Sequence, residues 1–315
     1  MNTLWTRLDT RRLVTREVAR LQRLALRGVP DLSIESMHRL AHAALLAQGA
    51  ESWTSQLAGH TVQRYAFKGR GTGPAILLLH GLGGSASSMS PLLPALLPLA
   101  PRVVLLELPG HGRSPQPPQG PLGAREYGAV VIACAEELAE HHGPIALVGN
   151  SLGGALALFT AHHRPDLCRG VVGLNPAGAE MSEDAMRVLP RHFPDVREGA
   201  AAMARLLFHR TPWLFWLVAR DFARGWEDET VQRILDDARA GTDRSLGLEV
   251  LTGIEAPVLI LWGAEDRLLP RSSVDDFRRN LPTATVELIP ECGHVPQVER
   301  PEHTRRRVAE FIGSL

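Results

Sequence analysis

The stretch Gly149-Asn150-Ser151-Leu152-Gly153-Gly154 decides the fold of this 315-residue chain. It follows the apolar run Ile145–Val148, which has the length of a strand, and it opens a run of helical pattern that reaches His163. A Gly-x-Ser-x-Gly between a strand and a helix is a nucleophile elbow, a sharp turn that strains the serine backbone and exposes the hydroxyl. The free N–H groups and the dipole of the helix then face any negative charge that develops beside Ser151.

Further apolar runs of strand length lie on both sides of this turn. Each is continuous rather than alternating, which is typical of strands covered on both faces in a parallel sheet. Stretches of helical pattern, such as Arg125–Glu140, separate most of them and predict an α/β fold with helices on both faces of a mostly parallel sheet. The runs are Ala75–Leu79, Val103–Leu106, Ile145–Val148, Val171–Leu174, Val258–Leu261 and Val286–Ile289, and Thr61–Phe67 suits a half-exposed strand.

The chain divides into three parts by pattern. Residues 178–254 are helical in character between two predicted strands, too long for a crossover and too apolar for a linker, so we expect an inserted helical cap. Residues 53–177 and 255–315 then form the α/β core. Residues 1–52 are a helical extension that precedes the first strand.

A nucleophilic serine needs a base, and a base needs a third group that orients it. His294 follows the last predicted strand, on the sheet edge where ligands bind in open α/β sheets. The acid is expected between serine and histidine in chain order, and the turn after Val258–Leu261 contains Glu265 and Asp266. We predict Asp266 in this role, with Glu265 as the alternative.

A glycine-rich loop supplies the second donor for an oxyanion. His80-Gly81-Leu82-Gly83-Gly84-Ser85 follows the first apolar run, and the N–H groups of Leu82 and Leu152 are predicted to form the oxyanion hole. The loop lacks the third glycine and the Gly-Lys-Ser/Thr of nucleotide-binding loops, which excludes nucleotide binding. Candidate substrate contacts are Gly81, Asn150, Phe208, Trp213 and Trp216.

These motifs and their order resemble the α/β-hydrolase superfamily, and in particular its capped serine hydrolases, the esterases and C–C bond hydrolases. Glu107-Leu108-Pro109-Gly110-His111-Gly112-Arg113-Ser114 adds to the resemblance, which covers about residues 59–315. It implies an eight-stranded, mostly parallel sheet and a catalytic triad of Ser151, Asp266 and His294. It also implies chemistry that needs neither a cofactor nor a metal.

The expected reaction is cleavage of a carboxylic ester through an acyl-enzyme. C–C bond hydrolysis of a vinylogous diketone is the alternative, because Asn150 also occurs in that group of the family. The C–C hydrolases carry tryptophans after the catalytic histidine, where this chain has Val295-Pro296-Gln297-Val298, and this difference favours esters. A third interpretation is a non-catalytic receptor for a small hydrophobic ligand.

Composition excludes several classes of protein. Lysine plus arginine and aspartate plus glutamate both number 34, so no net charge attracts nucleic acid. Cys134, Cys168 and Cys292 are too few and too scattered for a disulfide framework or a zinc site. No run of 18 apolar residues predicts a membrane span, and no secretory signal is evident, so a cytoplasmic protein is expected.

The extension predicts two amphipathic helices. The first has an apolar face of Val14, Val18, Leu21 and Ala25 beside a stripe of arginines, and the second has one of Ile34, Met37, Leu40, Ala41, Ala44 and Leu45. Docking of these faces on the protein or on a second subunit is the favoured interpretation. Peripheral contact of the basic helix with anionic lipid is the alternative.

Overall fold

The computed structural model describes residues 34–180, 196–217, 219–240 and 246–315. Within them, eight strands form one sheet in the order β1-β2-β4-β3-β5-β6-β7-β8. β1 pairs antiparallel with β2, β2 pairs antiparallel with β4, and the remaining pairs are parallel. The predicted α/β fold is confirmed. The strands are β1 Glu51–Leu57, β2 His60–Lys68, β3 Ile76–Leu79, β4 Arg102–Leu106, β5 Ile145–Asn150, β6 Cys168–Leu174, β7 Val258–Gly263 and β8 Ala284–Ile289.

Helices cover both faces of the sheet, and alternate strand residues enter two separate apolar cores. Leu77 and Leu147 belong to one core and Leu78 and Val148 to the other, which explains why these strands are apolar without interruption. The described helices are α1 Ile34–Ala47, α2 Leu93–Leu96, α3 Ala124–His142, α4 Leu152–His163, α5 Val196–Leu207, α6 Ala219–Trp226, α7 Glu229–Ala240, α8 Leu248–Thr252, α9 Ser272–Asn280, α10 Pro296–Glu299 and α11 Pro301–Gly313. Short 3₁₀ helices span Ala86–Leu92, Pro165–Leu167 and Trp213–Leu217.

The start of the sheet differs from the sequence prediction. β1 begins at Glu51, so the sheet takes in Glu51 and Ser52, which we had placed in the helical extension. A turn at Ala58 and Gly59, both with positive φ, joins β1 to β2 as a hairpin. β2 is buried from Val62 to Phe67 rather than half-exposed, because it lies between β1 and β4 instead of at the edge.

Helices α5 to α8 and the 3₁₀ helix Trp213–Leu217 lie between β6 and β7, in the part of the chain predicted as a cap. The second predicted helix of the extension is α1, whereas the first, around Val14, lies outside the described residues. No helix in the described ranges combines the length and the apolar content needed to cross a membrane.

Candidate active site

Ser151 stands between β5 and α4 in a backbone conformation that is rare for a residue with a side chain. Its φ is 53° and its ψ is −118°. The turn is tight because other backbone segments pass close to it on both sides. A Cβ on Gly149 would lie 2.1 Å from the carbonyl oxygen of Gly153, and one on Gly153 would lie 2.4 Å from that of Leu79. Glycine is therefore required at both positions.

His294 and Asp266 meet on the same edge of the sheet. The imidazole Nδ1 of His294 donates to Oδ2 of Asp266 at 2.8 Å, and the two side chains are 3% and 1% exposed. The backbone N–H groups of Leu268 and Leu269 donate to the other carboxylate oxygen of Asp266 at 2.8 and 3.0 Å. Glu265 is exposed. Of the two acids predicted from the sequence, the structure brings Asp266 to the histidine.

Asn175 is a third partner of this pair, and sequence analysis missed it. Its side-chain Nδ2 donates to Oδ2 of Asp266 at 2.6 Å, and its Oδ1 accepts the backbone N–H of Gly263 at 3.0 Å. Asn175 is fully buried and has a φ of 42°, a conformation that asparagine tolerates better than most residues. It directly follows β6, so the rule that parallel strands end at one edge was the signal that could have found it.

The other imidazole nitrogen of His294 has no partner among the described residues. This nitrogen, Nε2, is buried. His294 and Ser151 line the same cavity. Gly81 closes the other side of the serine, since a Cβ on Gly81 would lie 3.1 Å from Cβ of Ser151. With Nδ1 engaged by Asp266, Nε2 is the nitrogen that can accept a proton.

Helix α5 and Glu299 hold the loop that carries His294. The N–H of His294 donates to the carbonyl of Leu207 at 2.7 Å. The carboxylate of Glu299 accepts the N–H groups of Gly293 at 2.7 Å and of His209 at 3.2 Å, so it links the loop to the segment after α5. Asn150 adds a bond from its Nδ2 to the carbonyl of His294 at 3.1 Å.

The two predicted oxyanion donors are unengaged. Neither the N–H of Leu82 nor that of Leu152 donates a hydrogen bond within the part of the chain that the structure describes, and both residues line the cavity. His80 shapes their loop. Its Nε2 accepts the N–H of Leu108 at 3.1 Å, which leaves Nδ1 protonated to donate to the carbonyl of Gly81 at 2.8 Å. Complete burial lowers the pKa of His80 to about 3, so the ring stays neutral.

A buried carboxyl group links the glycine-rich loop after β3 to the loop after β4. Glu107 accepts the N–H of Ala86 at 3.3 Å and that of Arg113 at 2.6 Å. Gly112 has a φ of 57°, and a Cβ there would lie 2.3 Å from the carboxyl carbon of Glu107. Burial raises the pKa of Glu107 to about 7, although the two N–H donors oppose this effect.

The cavity above Ser151 has a volume of about 1450 Å³. Of the candidate substrate contacts, Gly81, Asn150 and Phe208 line it, whereas Trp213 and Trp216 do not. Trp213 is 72% exposed. Aromatic residues at neighbouring positions face the cavity instead, because the 3₁₀ helix and α6 turn other sides toward it. These residues are Phe215, Phe222 and Trp226.

The described residues contain no cluster of histidine, cysteine and carboxylate side chains that could hold a metal ion. Cys134, Cys168 and Cys292 are buried and free. Burial raises the pKa of all three thiols, the Cys134 thiol to about 11. None of the three cysteines lines the cavity that contains Ser151.

Comparison with known proteins shows which family and fold the chain resembles. The model of the alpha/beta hydrolase family matches residues 76–306. Monoacylglycerol lipase ABHD6 of Bos taurus is 29% identical over 273 residues, which are 80% of this chain and 79% of that protein. The magnesium-chelatase 30 kDa subunit of Rhodobacter capsulatus is 30% identical over 72% of this chain and 82% of that protein.

Among solved structures, a membrane phospholipase A described as a bacterial virulence factor superposes with a TM-score of 0.73 at 24% identity. The alignment covers 96% of this chain and 98% of that one. At this identity, the similarity shows the shared fold.

Proposed function

The chain belongs to the alpha/beta hydrolase family, and from that premise we propose that it is a serine hydrolase that cleaves carboxylic esters of hydrophobic acids through an acyl-enzyme. One observation carries the proposal. A serine in a strained elbow and a buried histidine with an unpartnered Nε2 line one cavity, and a carboxylate holds the far side of that histidine.

In the proposed acylation step, Nε2 of His294 takes the proton of Ser151 while Oγ bonds to the ester carbonyl carbon. Asp266 keeps Nδ1 protonated and stabilises the imidazolium that forms. The carbonyl oxygen becomes an oxyanion between the N–H groups of Leu82 and Leu152, which donate to no other acceptor among the described residues. The proton then passes from His294 to the leaving alcohol as the bond to that alcohol breaks.

Deacylation repeats these steps with water. His294 removes a proton from water, the resulting hydroxide attacks the acyl carbon, and Ser151 leaves with the proton returned by His294. The products are one alcohol and one carboxylic acid. No cofactor is required at either step.

The lining of the cavity supports hydrophobic acids as the substrate class. Phe208, Phe215, Phe222 and Leu269 line it together with Leu152 at the elbow. Its volume exceeds the roughly 300–1,000 Å³ that is typical of sites for small ligands. The mammalian relative is a monoacylglycerol lipase, which is consistent with a long acyl chain bound in this cavity.

Labelling with a fluorophosphonate tests the proposal. The probe should modify the wild-type protein at Ser151, as located by peptide mass spectrometry, and should leave the Ser151→Ala variant unmodified. Ser90→Ala is a suitable control, because the hydroxyl of Ser90 bonds to the carbonyl of Ser87 and does not line the cavity. Labelling elsewhere, or none, would overturn the serine mechanism.

A paired assay distinguishes hydrolysis of an ester bond from hydrolysis of a C–C bond. The proposal expects release of p-nitrophenol from the butyrate ester and no bleaching of a yellow vinylogous diketone. Bleaching without ester cleavage would favour C–C bond hydrolysis. Val295 and Val298 line the cavity after His294, at positions where the C–C hydrolases of the family have tryptophan.

A further inference from the structure

Helix α1 forms part of the wall of the cavity that contains Ser151. This helix lies before residue 76, where the match to the family model begins, so it is an addition to the part of the chain that carries the catalytic motifs. The lining residues that it contributes are Met37, His38, Leu40, Ala41 and Ala44.

The face of α1 toward the cavity is a regular helical stripe. Met37, Leu40, Ala41 and Ala44 stand at i, i+3, i+4 and i+7, so their side chains share one side of the helix. None of the four is charged or carries a hydrogen-bonding side chain. The charged side chains of Glu35 and Arg39 pair with each other and are exposed.

A second face of the helix anchors it to the sheet. Leu45 is 1% exposed and packs in an apolar core with Tyr65 and Met89. Nδ1 of His42 lies 3.1 Å from the hydroxyl of Tyr65. The position of the helix is therefore set by contacts that leave the Met37–Ala44 stripe free to meet a ligand.

The stripe reaches the outside of the molecule. Leu40 lines the cavity and is nevertheless 59% exposed, so the cavity opens beside it. Helix α6 lies against α1 and contributes Phe222 and Trp226 to the same cavity. Apart from His38, the lining residues that the two helices contribute are apolar, and we call the space between these helices and the elbow the passage.

We propose that this stripe of α1 binds the distal part of a long acyl chain and sets the chain length that the enzyme accepts. The inference rests on the proposed ester hydrolysis. It assigns to α1 a subsite for the hydrocarbon tail of a fatty acid ester. The occupant is a single extended tail, because the stripe is uncharged, continuous with the cavity above Ser151, and opposed by the aromatic residues of α6.

Narrowing the passage tests the proposal. We compare Ala41→Trp with Ala43→Trp, a substitution two positions away on the same helix at an exposed residue that does not line the cavity. Rates are measured with p-nitrophenyl butyrate and dodecanoate below their micellar concentrations. Ala41→Trp should lower kcat/KM for dodecanoate by about tenfold or more and change that for butyrate by less than about twofold. Ala43→Trp should change neither ester.

Other outcomes overturn the inference in ways that can be told apart. If the wild type cleaves both esters and Ala41→Trp leaves their ratio unchanged, the subsite is wrong and the proposed function stands. If the wild type cleaves neither ester, both proposals fall. If Ala41→Trp abolishes binding to phosphatidylglycerol vesicles with the ester ratio unchanged, the stripe contacts a bilayer and the subsite is wrong. If the Ala41→Trp variant melts at a lower temperature than the wild type, the test is made at the more exposed Ala44 instead. Ala44→Leu should then give the same selective loss of activity toward dodecanoate.

Discussion

Two regions surround the cavity, and different interactions hold them together: hydrogen bonds in the floor and apolar contacts in the roof. The floor consists of the strand-end loops that carry Ser151, Asp266 and His294. The carboxylate of Asp266 alone accepts four hydrogen bonds, from His294, Asn175, Leu268 and Leu269. Each such bond fixes a distance and a direction, so the floor holds individual atoms in place.

The roof consists of α1, α5 to α7 and the 3₁₀ helix Trp213–Leu217. Its cavity side is held by contacts between aromatic rings. The rings of Phe208 and Phe215 meet edge to face with centroids 4.9 Å apart, and those of Phe215 and Phe222 lie 5.8 Å apart. Aromatic and other apolar contacts are less directional than hydrogen bonds, so they define a volume rather than the position of one atom.

This difference indicates how the two regions divide the work. Proton transfer needs donor and acceptor atoms at hydrogen-bond distance, with that distance held to within a few tenths of an ångström. A hydrogen-bonded floor provides this precision. Choice among acyl groups needs a volume of suitable size and surface, which an apolar roof provides. Changes in the floor should therefore reduce turnover of every substrate, and changes in the roof should reduce it selectively.

The largest effect should come from Ser151, the proposed nucleophile. Ser151→Ala removes the atom that bonds to the substrate, and loss of such a serine reduces kcat by a factor on the order of 10⁶. The loss should be the same for short and long esters when initial rates are compared. A Ser151→Ala variant that keeps the wild-type melting temperature and also keeps its turnover would end the serine mechanism.

A smaller effect on kcat should come from Asn175, the hydrogen-bond donor to Asp266. Asn175→Gly suits the positive φ and removes the side-chain donor from Asp266, and a hydrogen bond to a charged group is worth about 1.5–3 kcal/mol. We expect kcat to fall by about tenfold to a hundredfold for every ester, with KM nearly unchanged, in steady-state assays.

A double-mutant cycle shows whether Asn175 acts through Asp266. Asp266→Asn alone should lower kcat by about 10⁴, as expected when the orienting carboxylate is lost. Adding Asn175→Gly to that variant should cost little more, because the bond it removes has already lost its charged acceptor. Fully additive losses would mean that Asn175 acts by some other route, such as its bond to Gly263.

Buried titratable groups in the loops after β3 and β4 predict a particular dependence of stability on pH. Burial lowers the pKa of His80 to about 3 and also lowers the pKa of His111, so both rings contribute stability above pH 6.5 that is lost as the pH falls. Burial raises the pKa of Glu107 to about 7, so Glu107 acts in the opposite sense and favours the folded state as the pH falls from 7 to 4.5. Between pH 7 and 5 these effects offset each other.

Glu107→Gln should remove that offset. At about 1.4 kcal/mol for each pKa unit, His80 alone should then lower the free energy of unfolding by roughly 2 kcal/mol between pH 7 and 5. Urea denaturation at the two pH values measures this difference for the variant and for the wild type. An equal change in both proteins would show that Glu107 ionises as it does in the unfolded chain.

The smallest effect should come from the roof. Phe222→Ala removes a ring from the cavity wall, and we expect kcat/KM for a long ester to fall by about tenfold while that for butyrate changes by less than about twofold. Trp213→Ala is the matched control, because Trp213 is exposed and does not line the cavity. Equal losses for both esters would contradict the division between floor and roof.

The sequence predicted most of the floor, because its motifs are local. Gly149 and Gly153 are required by the turn that exposes Ser151, and the turn occupies only a few consecutive residues. His294 and the Glu265-Asp266 pair follow strands that the apolar runs revealed, so the edge of the sheet brought them together. Asn175 follows the same rule, but a single asparagine after a strand carries no distinguishing pattern.

The roof was predicted as helical, but its inner face was not. Trp213 and Trp216 were expected at the substrate, whereas Phe215, Phe222 and Trp226 line the cavity. The sequence of an amphipathic segment does not show which of its aromatic residues line a cavity, because all of them can make apolar contacts. The side that turns inward depends on what packs against it, and those partners are remote in sequence.

Local sequence patterns were enough to predict most of the sheet, the elbow and the order of the triad candidates, since apolar runs and glycine-dependent turns are properties of neighbouring residues. Three features depended on tertiary packing: the choice of Asp266 over Glu265, the position of α1 in the wall of the cavity, and the hydrogen bond from Asn175 to Asp266. These are contacts between residues far apart in the chain. They depend on how whole elements pack, which no local pattern encodes.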